Sequence, residues 1–150
     1  DVTKISFYHL LHTPLETALP KLMEKVLISG AKAVIRTNSG ERAEALSNIL
    51  WTYKPDTFLP HGTARDGNAD KQPIWITPDE ENPNCAEILV LTDGALAGDL
   101  STWQRCIEIF DGRNESAVSE ARLRWSFYKS TRYELTYWQQ MEGGGWEKRR

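Results

Sequence analysis

The sequence predicts an α/β domain with a Rossmann-like layered fold: a mainly parallel central sheet with helices on both faces. Two observations carry this. Segments rich in β-branched and aromatic residues alternate with segments of helical spacing along the 150 residues. "AEILVLTD" (86–93) is a near-continuous apolar run, the pattern of a strand buried on both faces. Right-handed crossovers then restrict the topology to the layered arrangement.

The elements follow in order. "ISFYHL" (5–10) has the content of a first strand. Thr13-Pro14 opens a helix whose Leu15, Leu19, Leu22 and Val26 run at helical spacing towards Gly30, a natural stop. Pro20 lies inside that series, so it either kinks the helix or delays its regular part to near Ala18. "KAVIRT" (32–37) is a second strand. Ser39 caps "GERAEALSNILWTY", which gathers Ala43, Leu46, Ile49, Leu50 and Tyr53 on one face. Residues 54–73 hold too many turn formers for a long element and predict a loop with at most a short extended piece at "FLPH". "IWIT" (74–77) and 86–93 are strands, and "GALAGDLSTW" leads to another at "RCIEIF" (105–110). Asp111-Gly112 turns the chain, and Asn114 caps a last helix over about 115–133. No linker or repeat divides the chain, so 1–150 reads as a single domain, with about 140–150 a flexible tail.

Bulk properties narrow the function. The net charge of −3 and pI near 5.7 argue against a chain whose main task is gripping phosphate backbones, while leaving room for one basic patch. Cys85 and Cys106 make no disulfide framework. The N-terminal "DVTKISFYHL" lacks a basic segment followed by an apolar run, and no apolar run approaches the length of a membrane span. The chain reads as cytoplasmic.

No catalytic signature emerges. The first strand–helix turn, "HLLHTPLE", has no glycine, whereas a pyrophosphate needs closely approached backbone amides. "TNSGER" offers one glycine and no P-loop lysine. His9, His12 and His61 do not supply a metal-ligand set by spacing. There is no G-x-S-x-G elbow, and Asp79-Glu80-Glu81 sit in a polar turn as a solvated run. A non-enzyme without cofactor or metal is the expectation.

The last helix is different. From Arg122 to Trp138 the chain packs four basic residues and six aromatics into 17 positions with one acid. At 100° per residue, Ala117, Ala121 and Tyr128 gather between about 220° and 260° from Arg122, an apolar stripe for the sheet. Arg122, Ser126, Lys129 and Tyr133 fall within about 40° of the Arg122 direction, on a different face, with Trp125 at the seam near 300°. Arginine holds a carboxylate by paired hydrogen bonds, and an indole covers an apolar side chain. An acidic peptide ending in an aromatic fits this edge, with single-stranded nucleic acid as the alternative.

Three features, in this order and spacing, carry a family likeness: Leu50-Trp51 followed by Phe58 to His61, the "ILV" strand, and "ARLRWSFYKSTRYELTYWQ". Together they resemble the chi subunit of bacterial DNA polymerase III over nearly the whole chain. The resemblance implies a non-catalytic, clamp-loader-associated subunit with a Rossmann-like fold. Such a subunit binds the acidic C-terminal tail of single-stranded-DNA-binding protein, so its contact with nucleic acid is mainly indirect. Carried over by position, the tail site comprises Trp51, Arg122, Trp125 and Ser126. Enterobacterial members have lysine at the position of Ser126 and tyrosine at that of Trp125, so Lys129 is expected to stand in for the missing cation. Phe58, Pro60 and His61 match a second patch, similar to the surface used for a psi subunit or alternative partner.

Overall fold

The computed structural model describes residues 2–54 and 59–149. Its elements are β1 (Lys4–Leu10), α1 (Leu15–Ile28), β2 (Ala33–Arg36), α2 (Gly40–Trp51), a short 3-10 turn at Ala69–Lys71, β3 (Ile74–Thr77), β4 (Ile88–Leu91), β5 (Arg105–Asp111), α3 (Glu115–Lys129), β6 (Glu134–Gln140) and β7 (Trp146–Arg149). The strands form one sheet ordered β3-β2-β4-β5-β1-β6-β7. Every pairing is parallel except β6 with β7.

Alternation along the strands divides the core into two. Leu10, Ile35, Ile74, Val90 and Ile107 pack under α1 and α2. Ile5, Phe7, Leu89 and Cys106 point the other way, under α3 and the 95–103 connection. The connectivity explains this. From β1 the chain runs through α1 across β5 and β4 to β2, whereas from β5 it runs through α3 across β1 to β6. Right-handed crossovers in opposite directions place their helices on opposite faces. Consequently α3 stands over β1, β5 and β6, and on the other side, among the described residues, α1 reaches this strand pair only where Gln140 and Trp146 meet it.

Local signals set the helix ends. Ser39 accepts from the Arg42 amide and Asn114 from the Ala117 amide, each satisfying a donor of the first turn. α1 runs unbroken through Pro20, which is buried among its core-facing residues, so the delayed start near Ala18 does not occur. The missing amide costs one hydrogen bond, and burial of Leu15, Leu19 and Met23 outweighs it.

The C-terminal third departs from the sequence reading. α3 stops at Lys129, four residues early, where Ser130 and Thr131 hydroxyls donate to the carbonyls of Phe127 and Tyr128. Residues 134–140, beyond it, pair in parallel with β1. The segment expected to be a loose tail returns as β7, antiparallel to β6, through a turn in which Gly144 takes φ +93°. The missed signal is period-two alternation in "ELTYWQ": Leu135 and Tyr137 face α3, Thr136 and Trp138 the opposite side.

The first strand–helix turn is closed from within the fold. The amides of Leu11, His12 and Thr13 all donate to Gln140 Oε1, at 3.1, 2.8 and 3.1 Å, while Gln140 Nε2 donates to Thr13 Oγ1. β6 thereby locks the exit of β1.

A buried ion pair ties α3 to the sheet. Arg124 Nε lies 2.7 Å from Oε1 of Glu108, a β5 residue 2 % exposed. Burial pushes the Glu108 carboxyl up, and Arg124 opposes the shift. An acid with a raised native pKa is most favourable below its unfolded value, 4.5, and loses that contribution as pH rises. Arg124→Met should therefore cost about 3 kcal/mol or more at neutral pH, because it leaves a lone buried charge. The loss should shrink as pH falls and Glu108, its pKa raised by burial, accepts a proton; urea denaturation at neutral and at acidic pH measures it.

Candidate functional site

α3 leans on the sheet through Ala121 and Tyr128, the buried residues of the helix, which turns Arg122, Trp125 and Lys129 towards the β6–β7 side. They line one hollow of about 330 Å³ together with His9, Tyr137 and Arg149. Phe110, Val118 and Ala121 complete its apolar floor. Arg149 arrives there because its register partner Tyr137 points to the α3 face.

The indole is held rigidly. Trp125 meets Phe7 edge-on at 5.3 Å and Tyr137 at 5.7 Å between ring centroids. Phe110 stacks on the His9 ring at 4.8 Å, and His9 Nδ1 is hydrogen-bonded to the Tyr137 hydroxyl. His9 Nε2 is buried without a partner. Gly112 permits this crowding, since a Cβ there would collide with the His9 ring and the Leu10 carbonyl.

Charge separates this hollow from a larger one. At the C-terminal ends of the central strands a crevice of about 400 Å³ lies between the starts of the three α-helices. Its arginines are already neutralised: Arg42 pairs with Glu16 at 2.8 Å and Asp93 at 2.9 Å, and Arg124 pairs with Glu108. In the α3 hollow, Arg122 and Lys129 make no ion pair among the described residues, and Arg149 pairs only with Glu147 of its own strand. The surplus is positive. It is felt by His9, whose pKa lies below 6.5 through burial first and the Arg122 charge second, against the pull of Asp111. Burial raises the Tyr137 pKa, and Arg122 opposes it.

The expected site residues divide. Arg122, Trp125 and Lys129 come together, and Lys129 lines the hollow one turn from Trp125. Ser126 is exposed on α3 and does not line it. Trp51 is elsewhere: it ends α2, on the opposite face of the sheet, is 53 % exposed, and its ring lies 4.8 Å from that of His61. Trp51 therefore does not share the hollow with the α3 residues, because the two crossovers set α2 and α3 on different faces.

In the second patch, His61 is 4 % exposed, with Nδ1 at 2.6 Å from the Leu59 carbonyl and Nε2 at 3.0 Å from that of Ser47. Its ring lies against that of Trp51, and Pro60 is half-buried beside it. Phe58 lies outside the described residues. Sequence reasoning missed His9, Tyr137 and Arg149, since strand register alone brings them to α3.

Fold and hollow define the class: a layered α/β domain presenting a cationic, aromatic cleft between its last helix and an added strand pair. Residues 2–136 match the family described as DNA polymerase III chi subunit, HolC, and the chain belongs to that family. Over 88 residues it is 40 % identical to the probable DNA polymerase III subunit chi of Rickettsia prowazekii, covering 59 % of this chain and 53 % of that protein. The match thus spans about half the length of the curated relative.

The His9 ring reports on the hollow. Its native pKa is lowered, so its contribution to stability is present above 6.5 and is lost as pH falls from there through the native value. Arg122→Ala should move the His9 midpoint upward, towards 6.5, in an NMR titration of the imidazole protons. An unchanged midpoint would uncouple the ring from the guanidinium.

Proposed function

We propose that this chi-family chain is a non-catalytic accessory subunit of the replicative DNA polymerase III assembly, working in the cytoplasm. It links the clamp loader to single-stranded-DNA-binding protein by holding that protein's acidic C-terminal tail in the α3 hollow. The observation that carries the reading is the convergence on one hollow of the Trp125 indole with Arg122 and Lys129, neither in an ion pair among the described residues. A peptide bearing aspartates and a terminal aromatic offers the complement: carboxylates for the two cations and a ring for the apolar floor. Arg149 adds a third cation at the rim, and the unpartnered His9 Nε2 a polar contact. Ser126 contributes no charge, and Lys129 supplies it from within the hollow.

Trp51 and Pro60 make the second surface, directed to a clamp-loader-side partner such as a psi-like protein. Its position on the face away from α3 leaves both contacts free to form at once. No helix among the described residues is long and apolar enough to cross a membrane.

A tail peptide ending in Pro-Phe should bind with a Kd in the micromolar range, about −8 kcal/mol. Arg122→Ala should weaken it by roughly 1.5–3 kcal/mol, the scale of a charge-assisted hydrogen bond. Trp125→Ala should lose a similar amount. Trp51→Ala should leave peptide affinity within twofold and instead reduce co-purification with clamp-loader subunits. Fluorescence titration reads the first three; equal affinity of wild type and Arg122→Ala would remove the hollow from the function.

A further inference from the structure

We propose that the face of β1, β6 and β7 opposite α3, open beyond the edge of α1 from Tyr8 to Lys4, is a platform for single-stranded nucleic acid. The observation is a row of rings beside unpaired cations on an open sheet. Tyr8 and Trp138 are register partners on adjacent strands, with near-parallel rings whose centroids are 6.3 Å apart. Trp146 of β7 meets Tyr8 edge-on at 4.8 Å. All three are half-buried, so part of each ring meets solvent.

The cations sit around this row. Lys4 and Arg105 are register partners at the far end of β1, about 13 Å from Tyr8 at the usual strand rise. Lys148 is paired with Trp138 across β6–β7. On the other side of Tyr8, α1 sends Lys21 and Lys25 to a second small hollow walled by Trp146. None of these five is in an ion pair among the described residues; Glu134, opposite Lys4, is the acid in the trough. Between the ends the strands carry Ser6 and Thr136, small side chains that keep the trough shallow over about 350 Å³.

The trough is preorganised. Trp138 Nε1 donates to Thr136 Oγ1 at 3.2 Å, and Thr136 Oγ1 donates to Ser6 Oγ at 2.9 Å, which fixes the indole before any ligand arrives. Bases have π-faces for such rings, and the phosphates between them suit flanking lysine and arginine. A duplex hides its base faces and cannot use the rings. Trp138, Trp146 and Lys148 lie beyond the matched residues 2–136, whereas Lys4, Ser6, Tyr8, Arg105 and Thr136 lie within them.

The test is fluorescence anisotropy of labelled fifteen-nucleotide dT and rU strands with the full chain. Single strands should bind at low salt, weaken steeply as salt rises, and compete at least tenfold better than a duplex of equal length. Lys4→Glu combined with Lys148→Glu should weaken binding tenfold or more. Trp138→Ala, checked for fold by circular dichroism, should do the same, while Arg122→Ala should change affinity less than twofold. Absence of binding at low salt overturns the proposal. So does loss of binding in Arg122→Ala, which would assign the strand to α3. Equal binding of heparin or anionic vesicles with no loss in Trp138→Ala overturns it as well, leaving a bare charge effect.

Discussion

The handedness of two crossovers decides what this molecule can present. β1 and β5 are neighbours, yet one sends its helix towards β2 and the other towards β6. Each connection winds right-handed, so the two helices must occupy opposite faces. α3 stands over β1, β5 and β6 with room along its flank, and on the other face, among the described residues, α1 touches β6 and β7 only at Gln140 and Trp146. Both the hollow and the open trough are consequences of that single constraint.

The strand pair at the C-terminus then furnishes both surfaces at once. Side chains alternate across a strand, so β6 gives Tyr137 to the α3 hollow and Trp138 to the opposite face. β7 repeats the division with Arg149 and Lys148. Gln140 secures the arrangement by holding three amides of the β1–α1 turn, which couples the end of β6 to the strand that bears His9. Glu108 and Arg124 do the same for the helix. A polar pair under α3 fixes its position along the sheet, and thereby which of its residues reach the hollow.

Charge bookkeeping separates a binding surface from a structural one more clearly than size does. The crevice at the strand ends is larger, but its arginines face carboxylates within 3 Å. Among the described residues, Arg122 and Lys129 of the α3 hollow make no ion pair, in a chain whose net charge is −3. In a hollow of that size, this local surplus suits a short acidic segment.

The sequence by itself determined the layered fold, the strands from β1 to β5, the Ser39 and Asn114 caps, and the chemistry of the α3 edge. Those features depend on local periodicity and on side chains within one turn of each other. It also carried the Arg122, Trp125 and Lys129 grouping, because helical spacing is rigid enough to read as geometry. Only the tertiary structure decided where α3 ends, since the polar and aromatic residues after Lys129 suit either a helix or an alternating strand, and pairing with β1 resolves it. It alone moved Trp51 away from Arg122 and turned His61 inward, because which face a helix occupies follows from crossover direction, a property of the whole sheet. His9 and Tyr137 reach the hollow from strands 128 residues apart, and Arg149 follows Tyr137 through the β6–β7 register, a pairing that no local pattern encodes.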